Sequence, residues 1–521
     1  MAAADFSTPA SANETIRPPG QVPPDGAGSP ARPADSAGSP ARPDGGAASP
    51  SRSIGGAGSP ARSRPDACPG ALQTHTAADG AVARLRTPGG LLTPDRLRVI
   101  ADAATTWGSG VIELTSRANV QVRGLGEADG QAFADRMAAA GLLPSATHER
   151  VRNILVGPLS GLDGRGLADV IPLVRALDDA VLARPALAEL PGRFLFALDD
   201  GRRDLLPLHA DLTLLPTRPS PVAGYTGAGN EPGPGGSIEA RDPGHGAGIA
   251  GCVLLLAGQD TGLRFPLADA VPVMVAAAEA FLAERTAQGT GAWRVAELID
   301  GPAAITARLT TGTPQVFPAI RTGPDAATTD TAGRTDTGKS PGIVVMADGR
   351  VVLVVLAALG RLTAAQAHAV AEAADAGSAE VRLTPWRTLV IPGIAPAEAA
   401  AWTSRLAAAG LVTDAASSWA GVTACTGLPG CAKSLADVRS DATRATSHPP
   451  PATGPALTGH RPLPVHWAGC ERRCGRPAGP AVLVTATPDG YHVESPGTSE
   501  HHTTLPATAT AVARARTGDH R

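Results

Sequence analysis

Four of the six cysteines in this 521-residue chain fall between positions 425 and 474. They form a C-x5-C pair, Cys425-Thr426-Gly427-Leu428-Pro429-Gly430-Cys431, and a C-x3-C pair, Cys470-Glu471-Arg472-Arg473-Cys474, with 38 residues between the pairs. Thiolates are soft ligands suited to iron–sulfur clusters, zinc or copper. Structural zinc pairs usually leave two to four residues between cysteines. A five-residue gap opening Thr-Gly-Leu-Pro-Gly makes a wider loop, suited to a bulky cubane. Disulfides are the bland alternative, and no secretory signal is read that would give them an oxidising compartment. The expectation is a 4Fe–4S cluster on Cys425, Cys431, Cys470 and Cys474, ahead of zinc and of disulfides.

A second group of residues suits anions. Leu114-Thr115-Ser116-Arg117-Ala118-Asn119-Val120-Gln121-Val122-Arg123-Gly124 alternates polar and apolar residues. In an extended strand Arg117, Asn119, Gln121 and Arg123 then share one face. Arg84 and Arg86 share a face of an earlier strand in the same way. Guanidinium groups pair bidentately with carboxylates, so spaced arginines suit a ligand carrying several of them. The plainer alternative is a solvated strand face with scattered salt bridges.

The elements that must hold these groups come as an internal repeat. Asp79-Gly80 leads a strand, Thr93-Pro94 caps a helix running to Trp107, and a strand pair follows through Gly124. Asp348-Gly349, Thr363-Ala364, a helix to Ala376 and a strand pair through Gly393 repeat that order. Each copy ends in an Ala-rich helix closing Ala-Ala-Gly-Leu, at 139–142 and 408–411. Aligned on their Asp-Gly steps, copy two has Leu353 and Val355 where copy one has Arg84 and Arg86. It has Trp386, Thr388, Val390 and Pro392 in place of Arg117, Asn119, Gln121 and Arg123. Two such copies imply a pseudo-twofold molecule in which one half keeps a cationic face and the other has largely lost it.

The cysteine pattern and the duplication together resemble the nitrite/sulfite reductase superfamily, over about residues 67–500. Within it the chain looks most like the precorrin-3B synthases, the oxygen-dependent members of aerobic cobalamin biosynthesis. The resemblance implies an α+β, duplicated, pseudo-twofold fold built from ferredoxin-like half-domains and 4Fe–4S-type domains. It implies substrate-binding roles for Arg84, Arg86, Arg117, Asn119 and Gln121, and for Arg152 and Asn153 in Val151-Arg152-Asn153-Ile154. Pro191-Gly192-Arg193-Phe194-Leu195-Phe196 matches the stretch in which two basic residues bind the oxyanion in the reductases. Arg193 keeps the first charge and Leu195 has lost the second, a poorer anion site that fits a larger substrate. The activity implied is hydroxylation of precorrin-3A with O2, with electrons from NADH passed indirectly by a separate reductase or ferredoxin. The closest rival is a sirohaem-dependent sulfite or nitrite reductase. A zinc-stapled binding protein is the rival from another class.

Implied boundaries are a Pro/Gly/Ser/Arg-rich disordered tail at 1–66 and a first ferredoxin-like half-domain at 67–125. A first reductase-like domain follows at 126–320, with a Gly/Pro-rich insertion at 219–248 and a linker at 321–342. The second half-domain is 343–400 and the cluster domain 401–521. A net charge of −3 and 3% aromatics give no platform for nucleic acid. No apolar run approaches the ~20 residues of a membrane span, so a soluble cytoplasmic enzyme is expected. A mononuclear iron would want His or carboxylate ligands, for which His209 and His466 are the candidates by position. Cys68 matches a segment at the substrate entrance of the synthases, and Cys252 reads as a buried small hydrophobe. No G-x-G-x-x-G follows a strand, so no dinucleotide site is read.

Overall fold

The computed structural model describes residues 68–218, 251–312, 321–322, 338–447, 462–477 and 479–517. The tail expected at 1–66, the insertion at 219–248 and most of the linker lie outside the described residues.

Both copies of the repeat form the elements expected of them. Thr93 caps the helix Pro94–Trp107 by accepting from the Arg96 backbone N–H, and Thr363 closes a capping box with Gln366 on Ala364–Ala376. The faces these helices bury are short: Ala101, Ala103 and Ala104 on one, Ala367, Ala371, Ala373 and Ala374 on the other. Small side chains let the two helices pack closely, and one continuous core runs through both halves.

Each half-sheet is completed by its partner. The first sheet has the strand order His75–Ala77, Gly80–Leu85, Val120–Leu125, Val111–Leu114, Arg361–Thr363, so its last strand comes from copy two. The other half-sheet runs Gly342–Val345, Val351–Leu356, Thr388–Ile394, Val381–Leu383, Leu91–Leu92, and borrows its last strand from copy one. A tight glycine turn launches each exchanged strand. Gly90 has φ +70°, and a Cβ there would meet the Leu383 carbonyl oxygen at 2.1 Å; Gly360, at φ +72°, precedes the other strand.

The register corrects one detail of the alignment. Arg84 pairs with Gln121, but in copy two the residue opposite Val390, the counterpart of Gln121, is Val354 and not Leu353. Arg84 and Arg86 therefore correspond to Val354 and Leu356. Both first strands carry a bulge, between Ala81 and Ala83 and between Val351 and Leu353, and copy two spends one more residue reaching it.

Between the halves lies a six-stranded sheet, in the order Arg321–Thr322, Gln259–Phe265, Gly251–Leu256, Leu212–Thr217, Phe196–Leu198, Ile154–Val156. The pairing of Arg321–Thr322 puts those two residues in the sheet, inside the stretch read as linker. Cys252 is fully buried in its core, where burial pushes the thiol up to about 12. The last sheet sets Val422–Ala424, Val465–Ala468 and Val482–Thr487 in parallel, followed by two antiparallel strands, Gly490–Ser495 and Thr498–His502. Trp467, 1% exposed, anchors it edge-on to Tyr491 at 5.3 Å.

Candidate functional site

The apolar face of the first sheet, with Leu85, Ile112, Leu114, Val120 and Val122, is buried in the shared core. The opposite face is polar. Pairing places Arg84, Gln121, Glu113 and Arg361 in one row across four strands. Arg84 Nη2 donates to Gln121 Oε1 at 2.9 Å, and Gln121 Nε2 donates to Glu113 Oε2 at 3.0 Å.

Two amides lock neighbouring loops onto this face. Asn119 accepts from the Thr87 backbone N–H at 3.1 Å and donates to Asn153 Oδ1 at 2.9 Å. Asn153 donates to the carbonyls of Gly192 at 3.0 Å and Phe194 at 3.2 Å. Glu149 accepts from the backbone of Ala71, Leu72 and Gln73, which fixes the segment that begins at Cys68. Arg86 donates to the carbonyls of Arg150 at 3.1 Å and Pro69 at 3.3 Å.

Arg84, Arg86 and Arg117 come together beside Cys68, with Arg294 joining from far along the chain. Burial pulls the ionisation of Arg86 down to about 9, helped by repulsion from Arg84 and Arg117. Burial lowers Arg117 to about 10, and Arg294 and Arg84 add to the fall. Asp211, the carboxylate that opposes the fall at Arg117, already pairs with Arg294 at 2.6 Å and accepts from the Leu195 and Val295 N–H groups, and Glu149 opposes it at Arg86. Among the described residues the Arg117 guanidinium has no hydrogen-bond partner, and the buried Arg86 Nη2 has none either. A buried donor without an acceptor costs about 1–3 kcal/mol, and guanidinium groups crowded in this way are chemically suited to a negatively charged ligand.

The other expected residues sit differently. Arg152 forms a bidentate pair with Asp178 at 2.7 and 2.5 Å, tying the Arg-Asn step to the helix Ile171–Leu182. Arg193 is exposed and lies 4.7 Å over the Trp293 ring, while Leu195 is buried. Arg123 turns to the cysteine region: it chelates Asp79 and donates to the Gly430 carbonyl at 2.8 Å.

The equivalent face of copy two is closed. Leu159, Leu162, Met346, Val352, Val354 and Val390 fill it as an apolar cluster. A cavity of about 310 Å³ lies on that side, lined by residues including Gly161, Met346, Glu380, Arg382 and Pro392, and its rim charges Asp348 and Arg350 satisfy each other at 2.7 Å.

The cysteines leave adjacent, in-register parallel strands. Ala424 pairs with Trp467, so Cys425 and Cys470 begin neighbouring loops. The Gly469 N–H donates to Cys425 Sγ at 3.1 Å, and the Cys431 N–H to the Gly427 carbonyl at 2.9 Å. Burial raises the Cys425 thiol, and nearby Cys474 and Cys431 raise it further, so all three share one neighbourhood. Three thiols in one neighbourhood, with a backbone N–H aimed at the sulfur of one, suit thiolate ligation of an iron–sulfur cluster, and Cys470 opens the adjoining loop. Among the described residues no three or more His, Cys, Asp or Glu side chains converge on the point that a single metal ion would need. Of the two histidines considered for a mononuclear iron, His466 is otherwise engaged. His466 bridges Thr423 Oγ1 at 2.9 Å and the Cys474 carbonyl at 3.1 Å; burial, with Arg387 nearby, lowers it to about 4. The His209 carbonyl accepts from Arg294 at 2.6 Å.

Residues 75–140 and 345–409 match the nitrite/sulfite reductase ferredoxin-like half domain, once per copy. The chain carries the duplicated nitrite/sulfite reductase fold. Precorrin-3B synthase from Sinorhizobium sp is 27% identical over 430 residues, 82% of each chain, and the two proteins are homologues. Ferredoxin–nitrite reductase from Synechococcus elongatus is 34% identical over 152 residues, 28% of this chain and 29% of that one. The Mycobacterium tuberculosis NirA protein superposes with a TM-score of 0.60 at 21% identity, covering 80% of this chain and 74% of its own. The precorrin-3B synthase and the ferredoxin–nitrite reductase are oxidoreductases. No helix among the described residues is long and apolar enough to cross a membrane.

Arg294, Glu113, Arg361 and Arg439 escaped the sequence reading. No motif marks them, and Arg294, Arg361 and Arg439 reach the site from segments distant in sequence. Only Glu113 had a signal, as an acid within an apolar strand.

Proposed function

We propose that this chain hydroxylates precorrin-3A at C20 with O2 and closes a ring lactone, the precorrin-3B synthase reaction. The observation that carries it is the convergence of the Arg84, Arg86, Arg117 and Arg294 guanidinium groups on copy one, set against the apolar plug on copy two. Similarity to a precorrin-3B synthase over 82% of each chain supports the same reading.

Arg86 and Arg117 would receive substrate carboxylates, with Arg84 held in place by Gln121. Asn119 and Asn153 set the loops that frame the macrocycle. Arg152, engaged by Asp178, acts by fixing the Arg-Asn step, and Arg193 serves at the rim. Leu195, packed into the core, supplies no second charge beside Arg193. Cys425, Cys431, Cys470 and Cys474 would hold a 4Fe–4S cluster, which supplies single electrons. One oxygen atom enters the macrocycle and the other leaves as water, a balance that needs two electrons, taken from NADH through a separate reductase or ferredoxin.

A second reading is a sirohaem-dependent nitrite or sulfite reductase, favoured by the 34% identity over 152 residues to a nitrite reductase. The same arginines would then hold the carboxylates of sirohaem. Anaerobic purification with iron, labile sulfide and sirohaem quantified, followed by precorrin-3A and ¹⁸O2 with a reductant, separates the two. The proposal expects cluster iron and sulfide, no sirohaem, and a product carrying one ¹⁸O. Stoichiometric sirohaem with nitrite or sulfite turnover would overturn it.

A further inference from the structure

One carboxylate joins the arginine face to the cysteine loops. Glu113 lies opposite Gln121 on one side and opposite Arg361 of the exchanged strand on the other. Its Oε2 accepts from Gln121, which in turn accepts from Arg84. Its Oε1 accepts from Arg439 Nη1 at 2.5 Å, and Arg439 Nε donates to the Cys425 carbonyl at 3.2 Å. Both side chains are largely shut off from water, 11% exposed for Glu113 and 16% for Arg439.

Glu113 also faces more positive charge than it can match. Arg361 and Arg387 are both held below the usual arginine range, first by burial and then by Arg439, with Glu113 opposing the fall in each case. Asp437 adds a weaker opposing charge at Arg361, and Arg123 another cation. The arrangement belongs to copy one. At the matching position copy two has Arg382, which pairs with Glu380 and donates to the carbonyls of Pro158 and Ser160.

We propose that Glu113 and Arg439 are positioning residues that set the reduction potential of the cluster held at Cys425, a step that rests on the cluster reading above. Reduction adds negative charge, so a cation at the ligand loop stabilises the reduced form and an anion the oxidised one. Arg439 raises the potential. Glu113 partly cancels that charge, holds the guanidinium against the Cys425 carbonyl, and links it through Gln121 to Arg84.

Redox titration of the whole, anaerobically purified protein, followed by the paramagnetic signal of the reduced cluster, tests this. Arg439→Gln lowers the midpoint and Glu113→Gln raises it. Each changes the reduced-to-oxidised ratio at fixed potential by about tenfold, about 59 mV for one electron. The double variant returns toward wild type because the two charges leave together, and Arg439→Lys stays near wild type. A purely structural role would not give opposite signs. Shifts in one direction, or none, with iron and sulfide at wild-type content would overturn the inference and leave the cluster reading standing. If Glu113→Gln loses its cluster, Arg439→Gln and Arg439→Lys carry the test alone, and equal midpoints overturn it. Protein without iron or labile sulfide overturns both readings.

Discussion

Arg117 is the residue whose role is simplest to isolate, since no side chain among the described residues engages its guanidinium. A charge-assisted contact to a carboxylate contributes about 1.5–3 kcal/mol. At about 1.4 kcal/mol per decade, Arg117→Ala should weaken precorrin-3A binding roughly tenfold to a hundredfold with the cluster spectrum intact. Arg152→Ala should behave otherwise. Asp178, half-buried, would be left unpaired, and the loss should appear as a lower melting temperature. The sign of the pH effect follows from Arg86. In the empty site it ionises near 9, and a bound carboxylate restores the charged form. Below that pH the free protein already carries the proton and affinity is flat. Above it, binding must take a proton up, so affinity falls as pH rises. Calorimetry in buffers of different ionisation enthalpy would read that uptake; affinity rising above pH 9 would contradict it. Strand alternation made Gln121 and Arg123 legible in the sequence as one face, whereas Arg117 and Asn119 sit in the turn between Leu114 and Val120, where Ala118 has φ +53°. Alternation could not show that Asn119 and Asn153 bond to each other, or that Arg294 and Arg439 come from elsewhere to complete the charge pattern.

At the scale of elements, the exchanged strands make the two halves one cooperative unit. Leu362 is fully buried in the strand that copy two lends to the first sheet. Leu362→Ala should cost about 2–5 kcal/mol, and denaturant unfolding should remain a single transition. Two separate transitions would mean that the halves fold independently. The parallel pairing that brings the cysteine loops together has a similar consequence. Cys425→Ser, Cys431→Ser, Cys470→Ser and Cys474→Ser should each abolish the iron–sulfur absorbance, whereas Cys252→Ser should keep it. Both repeat helices and their caps were readable from Thr-Pro and Thr-Ala starts. The exchange was not, because Leu91–Leu92 and Arg361–Thr363 are too short to carry a period. The one-residue slip of the first strand was hidden for a related reason: a bulge leaves no mark in residue types when both strands are apolar.

The whole molecule is a duplication with one half specialised. Copy one presents charge where copy two is packed with Leu159, Leu162, Met346, Val352, Val354 and Val390. One tetrapyrrole per chain follows. Arg387 complicates the picture of an inert second half, since it is buried beside Arg439 and His466 at the cysteine loops. A neutral control is better taken from Arg350, on the exposed rim of copy two and paired only with Asp348. Anaerobic titration of precorrin-3A into wild type, Arg117→Ala and Arg350→Ala, followed by absorbance, tests the central claim most directly. The expected result is one macrocycle per chain, with Arg117→Ala weakened at least about tenfold and Arg350→Ala unchanged. Wild-type affinity in Arg117→Ala, or a second equivalent macrocycle per chain, would contradict it.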